Sequence, residues 1–232
     1  MISFPVLLFQ LAAAANPYEQ GVRLIEMGKL PEARMQLEIA VKQMPGNAQA
    51  WKALGVASAM TGDYAAAAVP FGKACALNAK LADACYFQAR ALYALNQFSP
   101  ALVVLERLKE PTEGRTFTAM GQAYEALGRS VEAEQAFQKA LRAKDGQGEA
   151  NLRYGIFLFR SGKLEDASNA LQQAVKLLPK SSEAYAELGR IHYQQGRLEE
   201  AEKWLVGSLQ LDPSREPAKL LLDKVHRLQG LK

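Results

Sequence analysis

A turn-forming residue recurs along this chain at a nearly constant interval: Gly28, Gly62, Asn96, Gly128, Gly162 and Gly196 are separated by 34, 34, 32, 34 and 34 positions. A fixed period of that size marks a repeat architecture, in which one supersecondary unit stacks on copies of itself. A second series fixes the phase, because Ala33, Ala67, Ala101, Ala133, Ala167 and Ala201 each follow a turn by five residues. Such a chain buries its apolar surface locally, between neighbouring units. Its 232 residues and 49% hydrophobic content therefore require no single central core.

Alignment on these turns gives six units, at about 14–47, 48–81, 82–113, 114–147, 148–181 and 182–215. Each reads as two helices. In the second unit Trp51, Leu54, Gly55 and Ser58 precede the turn at Gly62-Asp63, and Tyr64, Ala67, Phe71 and Ala74 follow it. Apolar residues three or four apart on both sides of a turn indicate two amphipathic helices. The turn residue is expected to end the first helix in a left-handed conformation, which glycine adopts freely and asparagine tolerates, so Asn96 is a replacement such a turn admits. Gly55, Gly121, Gly155 and Gly189 fall inside first helices, where glycine costs about 1 kcal/mol relative to alanine. That cost predicts a close approach of the partner helix at each position. The alanine series plays the same part on the second helix, with Leu37, Phe71, Leu105, Phe137, Leu171 and Leu205 filling the space between units. Pro45, Pro179 and Pro213 close second helices.

With these runs of aromatic, Leu, Gly and aromatic residues, followed by the turn, the chain resembles the tetratricopeptide repeat proteins. The sixth unit carries Tyr185, Leu188, Gly189, His192, Gly196, Ala201, Leu205 and Pro213; the fourth carries Phe117, Met120, Gly121, Tyr124, Gly128, Ala133, Phe137 and Ala140. The resemblance covers residue 14 to about residue 230 and implies an all-α fold, a right-handed α-solenoid of stacked antiparallel helix pairs. Two units depart from the pattern. The third has Gln88-Ala89 in place of Leu-Gly and runs two residues short before Glu110-Pro111-Thr112, which predicts a tighter junction or a changed superhelix angle there. The first offers Pro17 and Gln20 where an aromatic residue and Leu belong. Residues 216–229 read as one further amphipathic helix, a cap whose polar outer face comes partly from Asp223, Lys224 and Arg227.

The first fifteen residues differ from the rest. Ile2 to Ala15 is apolar and uncharged, and ends in small residues with an A-x-A site at Ala13 and Ala15. The expected division is a signal peptide over 1–15 and a repeat domain over 16–232, in a secreted or periplasmic protein. No Lys or Arg stands near Met1, so the alternative is a hydrophobic cap on the first repeat of a cytoplasmic protein. The segment is shorter than the roughly 20 residues a membrane-spanning helix needs, so no integral membrane segment is expected after its removal. A net charge of +4, from 28 basic and 24 acidic residues without a Lys or Arg run, argues against nucleic acid and membrane surfaces. Cys75 and Cys85 match neither a zinc nor a CxxC spacing. They read as two small buried apolar side chains, a disulfide across the loop being the alternative in an oxidising compartment.

Nothing in the sequence assembles a catalytic centre, so the expected function is non-enzymatic and uses no cofactor and no metal. His192 and His226 fall in slots where aromatic residues pack, no nucleophile elbow occurs, and the glycines sit singly at repeat spacing, never in a phosphate loop. Acidic residues such as Glu132, Glu134, Glu199 and Glu200 stand near helix starts, where they complement the helix dipole.

What remains is a binding surface. The resemblance implies that first helices line a concave groove, and by register the inward positions include Tyr86, Phe87, Arg90, Tyr93, Gln122, Arg153, Ile156, Phe159, Arg160, Arg190 and Tyr193. Tyr and Arg are favoured at interface hot spots because they bring rigid aromatic area and forked donors. The four arginines point to a protein or peptide partner with acidic residues or a free carboxylate. A subclass of the family grips a C-terminal carboxylate with a Lys/Asn clamp. The matching slots here hold Lys52, Val56, Phe87, Arg115 and Ala119, and the missing asparagines argue against that ligand. Two roles are expected: a scaffold holding a partner in the groove, or a component of a cell-envelope assembly docking through its convex face or ends. The oligomeric state is left open by the sequence.

Overall fold

The computed structural model describes residues 16–78, 80–108 and 113–230, and these form thirteen α-helices and no strand. They are α1 (Pro17–Glu26), α2 (Leu30–Gln43), α3 (Ala48–Met60), α4 (Tyr64–Leu77), α5 (Ala82–Ala94), α6 (Phe98–Glu106), α7 (Gly114–Ala126), α8 (Ser130–Arg142), α9 (Gln147–Arg160), α10 (Leu164–Leu177), α11 (Ser182–Gln194), α12 (Leu198–Leu211) and α13 (Glu216–Leu228). The expected all-α class holds. The segment read as a signal peptide and the Glu110-Pro111-Thr112 junction lie outside the described residues.

The chain forms two compact units, Met1–Gln97 and Phe98–Lys232. In the first, α1 pairs with α2 and α3 with α4, while α2 also packs on α3 and α4 on α5. In the second, each helix from α6 to α13 packs on the next. These contacts are local in sequence, as a repeat demands.

One backbone turn accounts for the recurrent glycines. After α1 the Gly28 N–H donates to the Ile25 carbonyl and the Lys29 N–H to the Leu24 carbonyl, each at 2.9 Å. This pair of bonds is the Schellman ending, and it places the glycine in the left-handed region. The pattern returns at Asn96, whose N–H reaches Tyr93 while Gln97 reaches Leu92, again at 2.9 Å. Asn96, at φ 58°, is the one non-glycine residue with positive φ among those described.

The glycines inside first helices have a different cause, the expected close approach of the partner helix. The space is taken chiefly by one large side chain of the same helix pair. A methyl group added at Gly55 would stand 2.6 Å from the Phe71 ring, at Gly121 2.7 Å from Phe137, and at Gly155 and Gly189 2.6 Å from Leu171 and Leu205. Each of those side chains follows its glycine by sixteen residues. They were expected to fill the gaps between units, and Phe71 and Phe137 do reach Phe87 and Phe157 of the next unit at 5.4 and 5.5 Å; they also cap the glycine within their own pair. Gly21 obeys the same rule, 2.5 Å from Leu37, so the first pair carries the motif in spite of its atypical Pro17 and Gln20.

The cysteines need correction. Cys75, in the last turn of α4, and Cys85, in the first turn of α5, form a disulfide. Cys85 is buried as expected, but Cys75 is half-exposed. The α4–α5 loop folds back tightly enough to bring the two Cα atoms to 4.9 Å, within bridging range. At the other end, α13 covers Ala201 and Leu205 of α12 with Ala218 and Val225. It leaves Leu220 and Leu228 about 60% exposed.

Candidate functional site: a cleft between three first helices

In the second unit the first helices touch in succession, α7 with α9, α9 with α11 and α11 with α13. Helical register turns positions one or two turns apart toward the same side. Phe159 from the end of α9 and Arg190, Tyr193 and Gln194 from α11 thereby meet Pro217, Leu220, Leu221 and Lys224 from α13. They enclose a cleft of about 460 Å³. Phe159, Arg190 and Tyr193 belong to the surface expected from the sequence. The α13 residues do not, because that helix reads as a cap. Pro217, Leu220, Leu221, Lys224 and Leu228 nevertheless repeat at intervals of three and four residues, a stripe separate from the Ala218–Val225 face.

Arg190 sets the electrostatics of the cleft. Its guanidinium lies 4.3 Å above the Phe159 ring. Its Nη1 donates to Glu187 Oε1 at 3.4 Å. The Arg190 Nε and Glu187 Oε2 atoms are 3.3 Å apart, yet out of line for a hydrogen bond, so both are buried without one. Burial raises the Glu187 carboxyl above its usual range, and Arg190 offsets this only in part. Lys224 is exposed, and among the described residues it forms no ion pair. Among those residues the cleft lining thus holds two cations and no anion.

The remaining expected positions serve other contacts. Arg153 is a strut: Nη1 and Nη2 donate to the two Glu183 oxygens at 2.7 and 3.2 Å, and Nε donates to Glu149 at 2.6 Å. Burial works against its charge, but the two carboxylates outweigh this and raise its pKa. Arg160 pairs with Glu125 at 3.0 Å. Ile156 is buried and Gln122 half-buried. In the first unit Tyr86 is buried, its hydroxyl accepts from Arg90 Nη1 at 3.2 Å, and its ring lies 5.6 Å from Phe87. Phe87 packs on Phe71 at 5.4 Å, and Tyr93 is half-buried. The structure therefore joins Phe159, Arg190 and Tyr193 in one cleft and places Arg153, Ile156 and Tyr86 mainly in packing. Arginine is rarely buried without a partner, and the local acids supply one.

The histidines divide. His192 is buried in α11, as expected of a packing residue. His226 is half-buried with Nε2 3.3 Å from Glu202, a polar contact in place of aromatic packing. Among the described residues, no helix is long and apolar enough to cross a membrane.

A tetratricopeptide repeat profile matches residues 18–84 and 155–216, and a second matches residues 114–146. No curated protein matches in sequence. Among solved structures the chain is similar to one in the APC/C hetero-tetramer Cut9–Hcn1, with a TM-score of 0.76 and 17% identity over 90% of this chain and 42% of that one. It is similar to PilW, a widely conserved type IV pilus biogenesis factor, with a TM-score of 0.75 and 17% identity over 89% and 96% of the two chains. YrrB, a TPR protein with an unusual peptide-binding site, gives 0.53 and 18% over 79% and 96%. At these identities the likeness is one of fold. The chain spans less than half the length of the Cut9–Hcn1 chain it matches.

Proposed function

Because the chain belongs to the tetratricopeptide repeat family, we propose that it is a non-enzymatic interaction scaffold whose partner, a protein or extended peptide, lies in the cleft between α9, α11 and α13. An apolar side chain of the partner fills the space between Phe159, Tyr193, Leu220 and Leu221. A neighbouring carboxylate, from an acidic side chain or a chain end, meets Arg190 and Lys224. The observation that carries this reading is the convergence of Phe159, Arg190 and Tyr193 on a largely apolar cleft whose charged lining residues, among those described, are the cations Arg190 and Lys224. Arg190 is held by one long bond to Glu187 and by stacking, which leaves its fork able to receive a second carboxylate. The YrrB structure, described as having a peptide-binding site, shares the fold and supports this use of it.

A peptide array pairing one Leu, Phe or Trp with zero, one or two Glu tests the reading. Tyr193→Ala should weaken retained peptides by about 2 kcal/mol, roughly thirtyfold, the loss typical of an aromatic anchor. Lys224→Glu should reverse the preference for acidic peptides. Equal retention by wild type and a Phe159→Ala/Tyr193→Ala variant would remove the cleft from consideration.

A second reading is favoured by the Cys75–Cys85 bond. Disulfides persist mainly in oxidising compartments, and residues 1–15 have the composition of a secretion signal. The protein is then exported and serves a cell-envelope assembly, docking through its ends or outer helices. PilW, named as a pilus biogenesis factor, has the same fold. Amino-terminal sequencing of the native protein and thiol titration separate the cases. A chain beginning at Met1 with both thiols reduced places it in the cytoplasm.

A further inference from the structure

We propose that the Cys75–Cys85 bond is a redox-addressable lock on the seam between α4 and α5, opened by a dithiol that attacks Cys75. The two helices run antiparallel, and one helical turn from the bond Gly72 meets Gln88, whose Nε2 stands 2.8 Å from where a Gly72 Cβ would be. Beyond that point the same two helices line an apolar cleft of about 550 Å³ with Ala65, Ala68, Val69, Leu92 and Leu95. Phe71 and Phe87 pack across this seam at 5.4 Å, and the covalent bond closes its end.

The junction also lacks a restraint that three of its five counterparts have. Pro45, Pro179 and Pro213 each stand seventeen residues after a turn glycine, and the corresponding residue after Gly62 is Ala79. The residue before it nevertheless has the conformation that precedes a proline: Asn78 is at φ −147°, ψ 92°, and Asp212, before Pro213, is at φ −143°, ψ 92°. Proline restrains a loop by narrowing the unfolded chain, and a disulfide does so by closing it. Here the bond stands in for the ring, and unlike a ring it is reversible.

Exposure decides the direction of opening. Cys85 is 3% exposed, whereas Cys75 is half-exposed. An incoming thiolate forms a bond to the Cys75 sulfur and expels Cys85 as thiolate, which takes up a proton. The second thiol of the dithiol then displaces Cys75, leaving two protein thiols and the oxidised dithiol. Relocking transfers two electrons and two protons to a disulfide oxidant of the same class.

The test uses the full chain. Glutathione, a monothiol, should leave its adduct on Cys75 when the reaction is stopped early and mapped by mass spectrometry. Dithiothreitol should then speed amide hydrogen exchange in the last turn of α4 and the first turn of α5 roughly tenfold or more, with α9 to α12 unchanged. Ala79→Pro should restore slow exchange in the reduced protein. An adduct on Cys85, or exchange at the seam that reduction leaves unaltered, overturns the proposal. The wild-type comparison decides the matter even if the proline variant fails to fold.

Discussion

At single positions, the balance between two small energies decides what a glycine is for. Gly189→Ala should gain about 1 kcal/mol in helix propensity. It would also place a methyl group 2.6 Å from Leu205 Cγ and 3.3 Å from the Ala201 carbonyl. Leu205 is fully buried and has nowhere to go, and overpacking costs about 1–3 kcal/mol. The variant is therefore expected to be less stable in urea, and Leu205→Ala in the same chain should recover part of the loss. His192 gives a pH prediction. Burial first, and Arg197 second, lower its pKa in the fold, with Glu200 opposing weakly. The unfolded imidazole takes a proton near pH 6.5, so this contribution to stability is complete above that value and is lost as pH falls toward the lower folded pKa. His192→Tyr, which copies Tyr124 at the same repeat position, should flatten the difference between midpoints at pH 7.5 and pH 5.5. The turn residues were legible in the sequence because conformation restricts them to Gly or Asn. The pairing of Cys75 with Cys85 was not, because it depends on a loop path that carries no periodic signal.

Among helices, periodicity reveals which faces are apolar without saying what lies opposite them. The second-helix Ala and Leu or Phe positions were readable for this reason, as was the covering role of α13. The destination of Arg153 was not. Its inward register matches that of a ligand-facing residue, and only Glu183, thirty residues further on, reveals it as a tie between α9 and α11. Arg153→Ala should lower stability by about 1–3 kcal/mol, since it leaves two carboxylates without their charged partner. Arg153→Lys should restore little, because a single ammonium cannot reproduce the two-pronged bond to Glu183. Urea midpoints for the two variants check this. A binding experiment that removes Arg153 along with Arg190 would confuse folding with recognition, so Arg190 and Tyr193 are the positions to vary.

At the scale of the whole molecule, cross-helix ion pairs such as Arg34–Asp63, Lys52–Asp83 and Arg153–Glu183 join residues about thirty positions apart. The order comes from neighbours, and a period in the sequence was enough to reveal it. The shortened third unit shows what a period alone leaves out: α6 has nine residues where the other second helices have thirteen or fourteen. The sixteen-residue lag from a small residue to the large one above it is preserved even there, from Ala89 to Leu105, although the turn-to-turn step falls to 32. Length is thus held constant inside a pair and left free between pairs. One glycine inserted between Gly162 and Lys163 would throw Leu171 off its seat over Gly155, and several kcal/mol should be lost. The same insertion after Lys144, between α8 and α9, should change the urea midpoint by less than about 1 kcal/mol. Natural additions and deletions in chains of this kind should accordingly collect at the joints between hairpins, and the interior of each hairpin should keep its count.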